Sequence, residues 1–246
     1  MTNLYKTSHY KESRVIYPKD EDNIAEQTYQ SFKLGINKTL QYFNLNIKLP
    51  LFNIFIVPNR KEYDSFVAHL TSIPTSKGRV GQPQLVDLYL LSPLAYKTDA
   101  DEFYINKDGS YNEQIYKRLV IHESVHMIEE LISPKDSMEV RPLWWSEGLA
   151  VLISEQYRLD SDIIEYMRKD LFNKQLPRIQ MLEGVSSYTW GWSLVKFCID
   201  NFGIDKIIKI MKETCDKDII QYLNITESEL EKKWHESILK TSKEIT

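Results

Sequence analysis

The sequence has little cysteine and no long apolar run, and both absences restrict what the protein can be. Only two of its 246 residues are cysteine, Cys198 and Cys215, which is too few for a disulfide framework or a zinc ribbon. We therefore expect two buried free thiols in a reducing compartment. No stretch approaches the roughly 20 apolar residues of a membrane helix, and the N-terminal residues lack the apolar core of a signal peptide. These absences predict a cytoplasmic protein with no membrane partner.

The sequence also lacks a block of basic residues, which argues against nucleic acid as a partner. Its 31 lysines and arginines face 35 aspartates and glutamates, so the net charge is only −4. A nucleic-acid footprint requires clustered positive charge instead. With 42% hydrophobic and 27% charged residues, the composition is that of an ordinary globular protein with one large domain or two small ones.

Hydrophobic spacing predicts a first half of mixed strands and helices and a second half of helices alone. We predict strands at 13–17, 51–57 and 84–91 and helices at 25–43, 63–70 and 112–132. Beyond residue 133 the expected helices begin near Ser146, Ser161, Trp190, Ile204 and Thr226. The expected fold class is α+β, with an N-terminal lobe at 1–132 and an all-helical C-terminal lobe at 133–246. We expect the helix that ends at residue 132 to lie at the interface of the two lobes.

The stretch that carries chemistry is H-E-S-V-H, from His122 to His126, in that last helix of the first half. Residues four apart share one helical face, so the two histidines can direct their imidazoles at one ion. Zinc prefers such nitrogen ligands. Glu123 can reach a water held by the ion without binding the ion itself, as in a metalloprotease. The alternative is a surface helix with two solvated histidines, but the apolar neighbours Ile121 and Val125 favour a buried helix.

Two imidazoles do not complete a catalytic zinc site, and Glu147 is the candidate third ligand. Twenty residues separate His126 from Glu147, which is enough for a loop and a returning helix. Ser146 can cap that helix, which would put Glu147 in its first turn, where the helix dipole favours a carboxylate. The set His122, His126 and Glu147 is the His₂Glu ligand type of catalytic zinc, with the fourth position open. The alternative is that Glu147 only begins a helix.

These two motifs, H-E-S-V-H and L-W-W-S-E-G-L-A, together resemble the gluzincin metallopeptidases. Within them the similarity is to the bacterial group with an aminopeptidase-like catalytic domain, often called peptidase MA-like, and it covers roughly residues 51–240. The resemblance implies a zinc enzyme with a zincin-like fold. Such a fold has one lobe with a small mixed β-sheet and helices, a second helical lobe, and the cleft between them.

A further segment, Y-T-W-G from Tyr188 to Gly191, is similar to the Y-x-x-G segment of that family. The tyrosine hydroxyl of the family stabilises the tetrahedral oxyanion, so the resemblance makes Tyr188 a second catalytic candidate. A phenol is a neutral donor at pH 7, which suits that role. The alternatives are that Tyr188 is a packed aromatic residue, or that His235 on the last helix does the same work.

Taken together, these residues predict a zinc-dependent peptide-bond hydrolase that acts on a peptide or protein. Zinc would polarise the scissile carbonyl and lower the pKa of its water, while Glu123 would serve as general base and then general acid. The resemblance implies that the peptide binds by strand addition at a sheet edge, for which 84–91 is our candidate. A G-x-M-E-N-type recognition segment is absent ahead of the zinc motif, which favours an endopeptidase over an aminopeptidase.

Other classes of protein fit the sequence less well. An ImmA/IrrE-like protease that cleaves a repressor would lack the W-x-S-E-G-L-A segment, and a SprT-type protease would carry cysteine pairs that are missing here. A catalytically silent binding or regulatory protein could keep the same fold. The intact set of His122, Glu123, His126 and Glu147 argues against that third possibility.

Overall fold

The structure is a computed structural model that describes residues 4–70, 76–134, 141–159, 161–173, 175–213 and 219–245. It combines helices with a mixed β-sheet, which confirms the predicted α+β class. The chain divides into two compact units, Met1–Met127 and Ile128–Thr246. Cys198 is a buried free thiol, as expected, and Cys215 lies outside the described residues. None of the helices in the described ranges is long and apolar enough to cross a membrane.

The first unit contains a sheet of five described strands. These strands are β1 (Tyr5–His9), β2 (Ser13–Pro18), β3 (Phe52–Val57), β4 (Gly81–Gln84) and β5 (Asp87–Leu91). Their order is β1-β2-β3-β5-β4. The central pairs β2-β3 and β3-β5 are parallel, while β1 and β4 are antiparallel to their neighbours. The central strand β3 is largely buried, as expected for its nearly continuous apolar sequence.

Two features of the sheet differ from the sequence prediction. The single strand predicted at 84–91 is a hairpin, because Leu85 adopts a left-handed φ of 53° and starts a two-residue turn between β4 and β5. The edge strands of the sheet are therefore β1 and β4. The prediction that residues 84–91 form an edge strand is wrong for Asp87–Leu91, because β5 pairs on both sides. The polar strand β1 was not predicted, because its stability comes from pairing with β2 and from side-chain bonds such as Tyr5 to Glu62.

The described helices of the first unit include the long amphipathic helix α1 and the motif helix. In chain order they are α1 (Asp22–Tyr42), α2 (Arg60–Val67), α3 (Tyr96–Asp99) and α4 (Glu113–Ile132). The division between the two units falls inside α4, between Met127 and Ile128. Helix α1 approaches α4 closely at Gly35, where a Cβ atom would lie 3.0 Å from the Ile121 Cα and still closer to the Ser124 hydroxyl. A glycine at this crossing lets α1 hold the motif segment in place.

The second unit is helical throughout its described part. Its helices are α5 (Leu143–Ser154), α6 (Gln156–Leu159), α7 (Ser161–Phe172), α8 (Val185–Phe202), α9 (Ile204–Glu213), α10 (Ile219–Tyr222) and α11 (Glu227–Ile245). The large side chains Trp145, Trp190 and Trp234 are fully buried and form the centre of this unit's core. The helix starts predicted at 161, 204 and 226 agree with the structure to within one residue. Those predicted at Ser146 and Trp190 lie after the observed starts, Leu143 and Val185.

Candidate metal centre

The motif helix α4 buries both histidines and the glutamate between them. His122 is 3% exposed, Glu123 8% and His126 9%, so the alternative of two solvated histidines does not describe this helix. The two Nε2 atoms lie 3.0 Å apart, and the rings meet edge to face with an interplanar angle of 77°. Two nitrogens bound to one tetrahedral zinc are separated by about 3.3 Å, so the pair already has nearly the spacing of zinc ligands.

Glu147 completes a group that can hold a metal ion. One ligand atom each from His122, His126 and Glu147 lie within 4.8 Å of one another. Two imidazoles and one carboxylate form a donor set that transition-metal ions accept, whereas calcium and magnesium prefer oxygen alone. The three residues singled out in the sequence as metal ligands are thus brought together.

The start of α5 differs from the predicted one. The helix begins at Leu143, its N-cap is Pro142, and Ser146 makes no cap bond. Proline needs no hydrogen-bond partner for a backbone N–H, so it is well tolerated where a helix begins. Glu147 is consequently the fifth residue of α5, beyond its first turn. The prediction that the helix dipole favours this carboxylate in the first turn is therefore wrong.

Helices α5 and α8 cross closely at two glycines. A Cβ atom on Gly148 would lie 2.6 Å from the carbonyl carbon of Gly191, and one on Gly191 would lie 2.7 Å from the Trp144 oxygen. Neither helix can therefore carry a side chain at the crossing. Glu147 directly precedes Gly148, and Tyr188 lies one turn before Gly191. Each of these two candidate functional residues therefore lies within one helical turn of the crossing.

Tyr188 lies in the first turn of α8 and is 39% exposed. An aromatic residue of the core would be buried, as Trp190 is on the same helix. The exposed ring makes the packed-aromatic alternative a poor description of Tyr188. The other candidate, His235, donates a hydrogen bond from Nε2 to the Pro177 carbonyl at 2.9 Å, a contact that helps to fix α11.

A buried polar network joins the end of α4 to the start of α5, and the sequence pattern did not reveal it. The Glu129 Oε1 atom accepts from Arg141 Nη1 at 2.9 Å and from Trp145 Nε1 at 3.0 Å. Arg141 also donates to the Met211 carbonyl at 2.7 Å and to the Ser133 hydroxyl at 2.8 Å. Both charged side chains are fully buried. Trp145 precedes Glu147 by two residues, so the network anchors the segment that carries the candidate third ligand.

The carboxylate of Glu123 lies directly against the edge strand β4. A Cβ atom on Gly81 would lie 2.7 Å from Glu123 Oε1 and 2.9 Å from both Cδ and Cγ. On α2, Tyr63 is fully buried, and desolvation together with the negative charge of Glu123 raises the pKa of its phenol. Sequence reasoning missed both contacts, because residues far apart along the chain leave no local pattern that marks them as neighbours.

No model of a known protein family matches the chain, and no curated protein matches it either. The likeness to gluzincin metallopeptidases therefore rests on H-E-S-V-H, L-W-W-S-E-G-L-A and Y-T-W-G alone. It stays a prediction from those segments.

Proposed function

We propose that the protein is a zinc-dependent metallopeptidase of the gluzincin type, with the zincin-like arrangement of lobes, and that it acts as an endopeptidase. The observation that carries this proposal is the meeting of ligand atoms from His122, His126 and Glu147 within 4.8 Å of one another. Glu123, the residue after the first ligand, supplies the carboxylate that peptide hydrolysis needs.

Zinc is the metal that best suits this donor set. Catalytic zinc sites use three protein ligands, with His₂Glu as one common combination, and keep the fourth position for water or substrate. In support of this, His122 and His126 are buried and Glu147 is half-buried, a setting in which a charge acts more strongly than in bulk water. When bound, Zn²⁺ supplies Lewis acidity to a substrate carbonyl and makes water nucleophilic at neutral pH.

The protein's own side chains would carry the proton and stabilise charge. Glu123 takes a proton from the attacking water and then delivers it to the nitrogen of the leaving amine. Tyr188 donates a hydrogen bond from its hydroxyl to the oxygen that becomes negative as the carbonyl is attacked. The burial of Glu123 keeps bulk water from competing for this proton.

The edge strand β4 supports a peptide as the substrate. Among the described strands it pairs only with β5, so its other side can accept an extended chain by strand addition. The contact of Gly81 with Glu123 brings that edge to the proposed general base. A peptide added to β4 would therefore pass next to the carboxylate.

The proposal is tested by separating metal binding from turnover. The Glu123→Gln variant should keep one zinc per chain and lose peptide cleavage by about 10²–10⁴-fold, while His122→Ala and Glu147→Ala should lose zinc. Cleavage is followed on a denatured protein or a peptide library, with zinc measured by elemental analysis. An active Glu123→Gln protein would exclude the assigned base. Full zinc loading of the wild type without cleavage of any peptide would instead favour a catalytically silent binding protein.

A further inference from the structure

We infer that Gly81 on β4 is a positioning residue for Glu123, because only a residue without a side chain leaves room for the carboxylate where it now lies. The role of Glu123 as a base rests on the proposed function. The contact between Gly81 and Glu123 does not, and it can be tested by itself. Both residues belong to the first compact unit.

Three atoms of the Glu123 side chain occupy the space that a side chain on residue 81 would need. A Cβ atom on residue 81 would lie 2.7 Å from Oε1 and 2.9 Å from both Cδ and Cγ of Glu123, and real Cβ contacts essentially never fall below 3.0 Å. Because the conflict extends to Cγ, turning the carboxylate at its end does not relieve it. The whole Glu123 side chain would have to change rotamer, and with it the position of the base.

Backbone conformation gives no competing reason for glycine at this position. The glycines with positive φ in the described chain are Gly109, Gly184 and Gly203. Gly81 instead begins a regular strand and pairs with Leu90 of β5, a conformation that any residue adopts. Glycine in a strand often marks the close approach of another group. Here that group is Glu123.

The surroundings of Glu123 offer little room for retreat. The side chain is almost fully buried, and so is Tyr63, on which its charge acts. The Tyr63 hydroxyl has no hydrogen-bond partner among the described residues, as expected for a tightly packed and weakly hydrated region. A methyl group on residue 81 would therefore force the Glu123 carboxylate out of its present position.

The consequence for catalysis follows from the distance. Ordinary contacts begin at 3.4 Å, so Oε1 would have to withdraw by about 0.7 Å to accommodate a methyl group. A misplacement of about 1 Å in a catalytic group costs on the order of 10²-fold in rate. We therefore expect the Gly81→Ala variant to lose about 10- to 100-fold in kcat with unchanged zinc content, because Glu123 is not a metal ligand in the proposed site.

Gly78→Ala provides a matched control in the same compact unit. A Cβ atom there would lie 2.8 Å from Asp101 Oδ2, the end of an exposed side chain that can swing away. This variant should keep the wild-type kcat and zinc content. If Gly81→Ala matches Gly78→Ala in kcat, the inference is wrong. If Gly81→Ala raises KM and leaves kcat unchanged, Gly81 serves substrate binding and not the base, which also overturns it.

A thermodynamic cycle tests the contact without any use of activity. We compare the melting temperature of the wild type, Gly81→Ala, Glu123→Ala and the double variant, all without added metal. The added methyl group should lower the melting temperature in the presence of Glu123 and change it little when residue 123 is alanine, since the conflicting atoms are then absent. Equal losses in both backgrounds would overturn the inference.

The proposed function and the contact between Gly81 and Glu123 can be refuted separately. If Gly81→Ala is too unstable to assay for turnover, the cycle still decides, because the double variant lacks the conflict and should fold. A wild-type protein that cleaves no peptide while the cycle shows coupling would refute the proposed function and leave the contact intact. An active wild type without coupling would refute the role of Gly81 alone.

Discussion

The buried ion pair between Glu129 and Arg141 provides the most demanding test of how this structure is held together. The Arg141→Met substitution removes a guanidinium that makes a 2.9 Å contact with Glu129 and bonds to Ser133 and Met211 as well. It leaves the carboxylate without its cation in a site where neither side chain has any exposure. Removal of one member of a buried pair costs about 3–5 kcal/mol, because the remaining charge is uncompensated.

This cost translates into a large thermal shift. For a chain of 246 residues, each kcal/mol corresponds to about 2–4 °C in Tm, so Arg141→Met should lower Tm by about 6–20 °C. The surface pair Lys196–Asp200, whose side chains are 50% and 54% exposed, is the control. Lys196→Met should cost less than about 1 kcal/mol. Urea unfolding measures both variants on the same scale.

The double variant Glu129→Met, Arg141→Met tests the electrostatic origin of the effect. With both charges gone, the main remaining cost is the loss of partners for the Trp145 indole and its polar neighbours, about 1–3 kcal/mol for each buried group left unpaired. The double variant should therefore be less destabilised than the sum of the single ones. Additive losses, or a loss below about 1 kcal/mol for Arg141→Met, would refute the reasoning.

Three further outcomes follow from burial and packing. Burial raises the pKa of the Glu21 carboxyl despite the hydrogen bond from Ser92. Ionisation of this carboxyl at pH 7 therefore opposes folding. The resulting loss of stability disappears as the pH falls below the carboxyl pKa of the unfolded chain. Glu21→Gln should therefore raise the melting temperature at pH 7 and lose this advantage near pH 4, whereas an equal gain at both pH values would contradict the assignment. Burial also raises the pKa of Cys198 to about 12, so in a Cys215→Ser background the native protein should not react with a thiol reagent at pH 8, and fast labelling would contradict it. Gly148→Ala should cost at least about 1–3 kcal/mol by overpacking the crossing of α5 and α8, and zinc titration should show weaker binding, since Glu147 is the adjacent residue.

The motif helix and the long helix α1 were predictable because their information is local. Apolar residues at spacings of three and four specify one buried face wherever the helix packs, and α1 and α4 were predicted close to their observed bounds. The candidate ligands were predictable for a different reason. A pair of histidines four apart and a nearby glutamate are recognised by donor chemistry, whatever the exact start of the second helix.

Other elements depend on partners that lie far away along the chain. The polar sequence of β1 becomes a strand because β2 is available to pair with it. The α5 start was mispredicted because the capping preference of Ser146 is weaker than the combined effect of Pro142 and the packing of the helix. In both cases a non-local contact outweighed a local preference.

The amino-acid sequence by itself identified a group of residues that could hold a metal ion: two imidazoles and a carboxylate, with a second carboxylate beside the first histidine. Donor types and short spacings can be recognised in a sequence without knowledge of the fold. Only the tertiary structure decided the contacts around these residues. Gly81 lies against Glu123, Arg141 pairs with Glu129, and α5 crosses α8 without a side chain at Gly148. Close approach depends on how separate segments pack, and a missing Cβ atom or a buried guanidinium acquires its role only when its partner is beside it.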